Sequence, residues 1–368
     1  MTTDPTNLFG LDRAGVAALF DALGERRYRT EQIMKWVYHR GVRDFAAMSD
    51  LSKSLRERLG EIATLALPEV IDTQCSVDGT RKWTLRVAGG SAVETVLIPD
   101  RGRNTLCVST QAGCVLDCSF CSTGKQGFSG NLTTAEIVGQ VALVAEFLRA
   151  AGDERGVTNV VMMGMGEPLL NFDATVMASA ILNDDLAFGI SKRRVTISTA
   201  GVVPAIYELA NRADVSLAVS LHAPNDALRD QLVPINRKYP IADLLSACRH
   251  YLQVLGEHRS VTIEYTLLRG VNDTPALAHE LAALLRDVRC KINLIPFNPF
   301  PASGYERPDD ESVRAFQTIL LNAGYAAMLR TTRGDDIAAA CGQLVGKVAD
   351  RTRRQARYLE RIKAMEVA

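Results

Sequence analysis

No run of apolar residues in this 368-residue chain approaches the roughly 20 that a helix needs to cross a bilayer. Met1–Gly10 shows no basic segment followed by an apolar core, so a cytoplasmic protein with reduced thiols and no membrane partner is expected. Eight Cys are too few for a disulfide scaffold at this length. Net charge is zero, so the chain as a whole does not announce a polyanionic partner. There is no internal repeat and no low-complexity segment. What remains, with 47% hydrophobic and 23% charged residues, is an ordinary globular composition. The length accommodates a core of about 250 residues plus a smaller domain.

The most informative feature is Gly113-Cys114-Val115-Leu116-Asp117-Cys118-Ser119-Phe120-Cys121, whose C-x3-C-x2-C spacing brings three thiolates into one short loop. Four-iron clusters normally take four Cys, so three leave one iron open to a substrate. Phe120 is placed to cover such a cluster. A closed zinc site would want a fourth ligand nearby, but the next Cys is Cys248 and the next His is His222.

Charge is uneven along the chain. Arg26 to Arg58 carries nine Lys/Arg against four Asp/Glu, and Lys347 to Ala368 seven against three. Both segments suit phosphate contact, or are solvated helix faces. Val16, Leu19, Phe20 and Leu23 have helical spacing, as do Ile33, Trp36 and Val37. Basic and aromatic residues interleave from Arg26 to Trp36, which reads either as an RNA-contact face or as an amphipathic helix with its Trp packed inward. From Pro68 to Pro99, Asp78-Gly79 and Gly89-Gly90 mark hairpin turns between β-rich runs, and a three-stranded antiparallel piece is expected.

After Arg103, strand and helix alternate. Candidate strands are Thr105–Thr110, Asn159–Met163, Arg194–Thr199, Val215–Leu221, Val261–Leu268 and Lys291–Phe297. A helix opens at the capping box Thr133-x-x-Glu136. Six β-α units predict an α/β fold with a partial parallel barrel. An open dinucleotide-binding sheet is the rival, but no Gly-x-Gly-x-x-Gly follows the first strand. The expected organisation is a helical region over 1–65, a β-hairpin extension over 66–100, the barrel over 101–345 and a basic helix over 346–368. Polar motifs fall at the C-terminal strand ends, where barrels keep their active sites. These are the cysteine loop, Gly164-Met165-Gly166-Glu167-Pro168, Ser198, Ser220-Leu221-His222 and Asn298.

With these motifs the chain resembles the RlmN family of radical S-adenosylmethionine (SAM) RNA methyltransferases. The resemblance rests on Val93-Glu94-Thr95-Val96, Leu106-Cys107-Val108-Ser109, the cysteine loop with Ser122-Thr123-Gly124 and Met163-Gly164-Met165-Gly166-Glu167-Pro168-Leu169. It extends through Ser198-Thr199-Ala200-Gly201, Ser220-Leu221-His222-Ala223-Pro224-Asn225, Pro296-Phe297-Asn298-Pro299 and Ala340-Cys341-Gly342-Gln343-Leu344. It is strongest over roughly residues 90 to 345 and looser over the first 60.

The resemblance implies a radical SAM (β/α)6 partial TIM barrel with one 4Fe-4S cluster on Cys114, Cys118 and Cys121. It implies SAM, two per turnover, held by Gly166, Glu167, Ser198, Ser220, Leu221, His222 and Asn298. The implied reaction is methylation of carbon 2 of adenosine in 23S rRNA and in tRNA. That carbon is electron-poor and cannot attack a sulfonium methyl, so an activated one-carbon unit is needed. By resemblance Cys341 accepts the methyl, Cys107 resolves the adduct through a transient disulfide, and Glu94 accepts a proton. Partners would be 23S rRNA, tRNA and a low-potential electron donor of flavodoxin or ferredoxin type, with the chain a monomer. Two alternatives stay open: carbon 8 methylation, as in the related Cfr, and a non-catalytic RNA-binding protein with a structural metal. Cys75, Cys248 and Cys290 match no motif and read as structural. Of the five His, His222 alone lies in a motif.

Overall fold

The computed structural model describes residues 5–256 and 258–366. The N-terminal part is helical, as the periodicity predicts. Strand β1 (Thr6–Asn7) leads into α1 (Arg13–Ala22), α2 (Tyr28–Met34) and α3 (Lys53–Ile62), and β2 (Ala63–Thr64) returns to pair with β1 in parallel. Asp12 and Ser52 cap α1 and α3 through the N–H groups of Gly15 and Leu55, satisfying donors that a helix start leaves free. Val16, Phe20, Ile33, Met34, Leu55 and Leu59 are buried between these helices. Trp36 packs partly inward and keeps a polar edge. Its ring is partly buried against the core, while its indole N–H donates to Asp50 at 2.5 Å and the Arg40 guanidinium lies 3.9 Å above it.

One ten-stranded sheet organises the rest. Strands β3 (Glu69–Cys75), β4 (Arg81–Arg86) and β5 (Ala92–Asp100) are antiparallel and turn at Gly79 and at Gly89-Gly90, which all take positive φ. A further hairpin, through Gly102, joins β5 to β6 (Arg103–Cys107). Strand β6 therefore ends at Cys107 rather than at Thr110. The next residues leave the ladder, and the Thr110 N–H bonds to Met165 O.

Strand β7 (Gln111–Gly113) pairs with β8 (Phe128–Asn131), and the cysteine loop with the short α4 (Ser122–Lys125) lies between them. The alternation then runs α5 (Thr134–Ala150), β9 (Asn159–Met162), α6 (Phe172–Asn183), β10 (Val195–Thr199), α7 (Val203–Arg212) and β11 (Ser216–Ser220). It continues with α8 (Asp226–Leu232), α9 (Ile241–Leu255), β12 (Val261–Leu267), α10 (Pro275–Leu284) and β13 (Cys290–Pro296). Last come α11 (Asp310–Asn322), β14 (Ala326–Leu329) and α12 (Arg354–Glu366). Thr133 and Glu136 form the expected reciprocal cap on α5, with bonds of 3.2 and 2.8 Å.

From β6 through β9 to β14 every neighbouring pair is parallel, which makes seven parallel strands rather than six. The added strand, β14, is four residues long and has one buried residue, so no apolar alternation betrayed it. The sheet is open, since β14 and β3 end it without pairing to each other. Helix α5 covers the outer face of the antiparallel extension, where Trp83 meets Phe147 edge-on at 5.4 Å. Glu94, Val96 and Cys107 occupy the opposite face, because Val96 stands across from Cys107 and Glu94 lies two residues before it. Of the cysteines without a motif, Cys248 is buried and Cys290 half-buried, but Cys75 is exposed on the edge strand β3, where its thiol donates to Ser76 O at 3.7 Å.

Candidate active site

A cavity of about 170 Å³ opens at the C-terminal ends of the parallel strands. Cys114, Cys118 and Cys121 form part of its wall. Local backbone chemistry fixes their loop. Gly113 takes φ 79°, and a Cβ there would sit 2.1 Å from Gly127 O, the atom that accepts the Cys114 N–H at 2.7 Å. The Cys121 N–H donates to Cys118 O, and the Arg354 guanidinium donates to Val115 O, Leu116 O and Gly124 O. Phe120 lies edge-on to His222 at 4.6 Å and closes one side.

Burial, then the neighbouring thiols, push the Cys114 thiol well up and the Cys118 thiol up to about 12. Among the described residues no three His, Cys, Asp or Glu converge on a point that would suit a single metal ion. Three soft sulfurs on one loop would suit a four-iron cluster with one open iron.

The loop after β9 supplies the opposite wall. Gly166 has φ 104°, and a Cβ there would meet the Gln111 Cβ at 2.5 Å, so only glycine fits. Glu167 is 3% exposed, and its carboxylate accepts the N–H groups of Leu169 (3.1 Å) and Ala200 (2.7 Å). Burial pushes it up to about 7, against those hydrogen bonds. No cation pairs with it among the described residues, so it suits an incoming ammonium group.

Ser198, Ser220, His222 and Asn298 also line the cavity. His222 takes φ 60°, and its Nδ1 accepts the Thr266 N–H at 2.9 Å. Burial, reinforced by Arg229, pulls its pKa down to about 3, so the neutral ring carries its hydrogen on Nε2. Leu221 is set apart. Its side chain is fully buried in the core between two cavity-lining neighbours.

Cys341 reaches the same cavity from the C-terminal segment. Asn298 Nδ2 donates to Cys341 O at 3.3 Å, and the Ser122 N–H donates to Gly342 O at 2.8 Å. Cys341 is exposed as a residue, yet protein surrounds its thiol closely enough to raise its pKa. Cys107 lies just behind. Burial, then Cys341, push its thiol up to about 12. Glu94 stands on the same sheet face, outside the cavity wall. Its carboxylate accepts Lys82 Nζ at 3.0 Å and the Val345 N–H at 2.8 Å, and burial raises its pKa against the pull of Lys82.

Three further residues join the site without having been flagged in the sequence. Arg330, just beyond β14, acts electrostatically on Cys107, Cys341 and Glu264. Glu264 lines the cavity, where burial raises its pKa. Arg229 lies wholly beneath the wall. Arg330 follows the strand that escaped notice, and Glu264 sits mid-strand among apolar neighbours, so neither carried a local signal.

Comparison with known proteins agrees with this geometry. Residues 6–65 match the model of the ribosomal RNA large subunit methyltransferase N-terminal domain, and residues 108–281 match the radical SAM superfamily. A dual-specificity RNA methyltransferase RlmN from Pseudomonas putida is 60% identical over 97% of this chain and 94% of its own length. The Pseudomonas entomophila protein of the same name is 60% identical over 97% and 95%. The crystal structure of a radical SAM methyltransferase from Sphaerobacter thermophilus superposes with a TM-score of 0.86 and 46% identity, covering 92% of this chain and 99% of that one.

Proposed function

We propose that this chain, which belongs to the RlmN family of dual-specificity RNA methyltransferases, methylates carbon 2 of adenosine in 23S rRNA and in tRNA. One observation carries the reading: the three loop cysteines, the uncompensated Glu167 and Cys341 share one cavity. A four-iron cluster bound there would supply the reductive cleavage of SAM to a 5′-deoxyadenosyl radical. Cys114, Cys118 and Cys121 hold that cluster. Glu167 takes the SAM ammonium group, and the hydroxyls of Ser198 and Ser220 with Nε2–H of His222 take its remaining polar groups. Asn298 holds the backbone of Cys341 toward the cavity.

The Cys341 thiolate accepts the methyl group from a first SAM by displacement. A hydrogen atom passes from that methyl group to the 5′-deoxyadenosyl radical, the carbon bonds to carbon 2, and the adduct gives up its carbon 2 proton and one electron, which would return to the cluster. Cys107 attacks the Cys341 sulfur, forming a disulfide, and the methylene carbon leaves that sulfur, takes up a proton and becomes the methyl group of the freed base. Glu94 takes up the proton released from carbon 2, a role that its raised pKa favours. The basic N-terminal helices position the RNA, and a flavodoxin- or ferredoxin-like protein delivers the electron. The chain acts as a cytoplasmic monomer. Among the described residues no helix is long and apolar enough to cross a membrane.

The test is anaerobic reconstitution with SAM, a low-potential reductant and unmodified rRNA or tRNA, followed by nucleoside mass spectrometry with the methyl position assigned. 2-Methyladenosine is the expected product. 8-Methyladenosine alone would replace the position, and a reconstituted protein whose spectrum ignores SAM would overturn the reaction.

A further inference from the structure

The largest fully buried side chain is a cation that the reaction above does not use. Arg229, in α8, is 0% exposed. Its guanidinium donates to Ala200 O (2.6 Å), Ser220 O (3.0 Å), Leu221 O (3.0 Å) and Asn236 Oδ1 (2.8 Å). All four acceptors are neutral. Its nearest carboxylates, Asp226 and Asp230, stand behind Asn236, which donates to both. A buried charge without a close counter-charge costs several kcal/mol. The cost is offset if an anion completes the site, and α8 itself meets the cysteine loop: Leu232 O, at the end of the helix that carries Arg229, accepts the Ser119 N–H at 3.0 Å, next to Cys118, with which Arg229 interacts electrostatically. It also fixes Ala200, whose N–H bonds the Glu167 carboxylate, and the end of β11 that carries Ser220 and His222.

We propose that Arg229 is the buried counter-charge of the iron–sulfur site and the brace of the adjoining SAM wall, a positioning residue with two separable effects. The proposal rests on the reading of Cys114, Cys118 and Cys121 as cluster ligands. Reduction adds negative charge to the cluster, so a nearby buried cation favours it and raises the reduction potential. The planar fork separately aligns the ends of two strands, which an ammonium in its place cannot do.

Wild type, Arg229→Lys, Arg229→Gln and Asp230→Asn are reconstituted anaerobically. Iron and sulfide content, the reduction potential and SAM affinity are then measured. Arg229→Lys keeps the wild-type potential and Arg229→Gln moves it more negative. Asp230→Asn, which removes an opposing charge behind the guanidinium while keeping an acceptor for Asn236, moves it more positive. Both Arg229 variants bind SAM roughly tenfold more weakly, as loss of charge-assisted bonds predicts, and Asp230→Asn does not. If Arg229→Gln does not fold, Asp230→Asn decides: an unchanged potential overturns the counter-charge. Unchanged SAM affinity in Arg229→Lys overturns the brace. A wild-type protein that takes up no iron overturns the cluster reading and this proposal with it, a result distinct from a loaded cluster with unmoved potential.

Discussion

Replacing Glu167 by Gln separates what the buried carboxylate does to the empty protein from what it does for SAM. Glu167 is 3% exposed, and burial outweighs its hydrogen bonds to hold its pKa at about 7, against 4.5 for an ordinary Glu. The folded-state value is the higher one. Its stability contribution is therefore fully present below about pH 4.5 and is lost as pH rises to about 7. The rise from 4.5 to about 7 amounts to about 3 kcal/mol, most of which falls between pH 5 and 8.

Urea unfolding of the metal-free protein across that range should show wild type losing most of that stability, while Glu167→Gln, which has no carboxyl to titrate, does not. With the cluster loaded, the variant should bind SAM ten- to a hundredfold more weakly, the value of a hydrogen bond to a charged group, about 1.5–3 kcal/mol. Parallel pH profiles for the two proteins would refute the buried, cation-free carboxylate. Equal SAM affinity would refute its pairing with the SAM ammonium.

Gly166→Ala should destabilise the fold by more than about 1 kcal/mol, through the left-handed backbone and the contact with Gln111, and should weaken SAM binding by displacing Glu167; thermal unfolding and SAM titration read both. Cys107→Ala should still attach Cys341 to RNA and then stall, since no thiolate displaces the bridging sulfur; nuclease-sensitive crosslinks on denaturing gels report it, and free turnover would assign resolution elsewhere. Reversing the exposed Arg26 and Arg27 to Glu should weaken RNA binding and reduce its salt slope by about 1 per lost phosphate contact, with SAM cleavage retained. An unchanged slope would make these Arg solvated surface.

Much of the fold was legible because local pattern and tertiary environment agree. Strands β9 to β13 are apolar runs bounded by turns, and the helices between them carry 3.6-residue periodicity. The exceptions have local causes. Strand β14 needs only its backbone to pair with β13, and its exposed Met328 and Leu329 leave no alternation to find. The β5–β6 hairpin joins two regions that read as separate units, so the turn glycine Gly102 passed unnoticed. Leu221 could have been separated from its neighbours by the two-residue period of an extended chain: Ser220 and His222 line the cavity, and the side chain between them faces the core.

The site divides along a different line. The cysteine loop is a local constellation, so spacing alone reveals it. Cys107, Glu94 and Cys341 carry no local signal, because what joins them is the C-terminal segment crossing the sheet. That segment is tied at nearly every step. Gly342 O and Leu344 O accept from Ser122 and Thr123 beside the cluster loop, while the Val345 N–H donates to Glu94 and Lys347 O accepts the Ala92 N–H. The thiol of Cys341 therefore stands at the head of an anchored stretch, tied first to the cluster loop and then to β5. Anchoring of this kind answers the geometric demand of the proposed chemistry, in which one sulfur must meet a methyl donor in the cavity and a second thiol behind it. The same ties make Glu94 more than a base: through Val345 its carboxylate also holds the segment, so Glu94→Gln, which keeps an acceptor for that N–H, tests proton transfer more cleanly than Glu94→Ala.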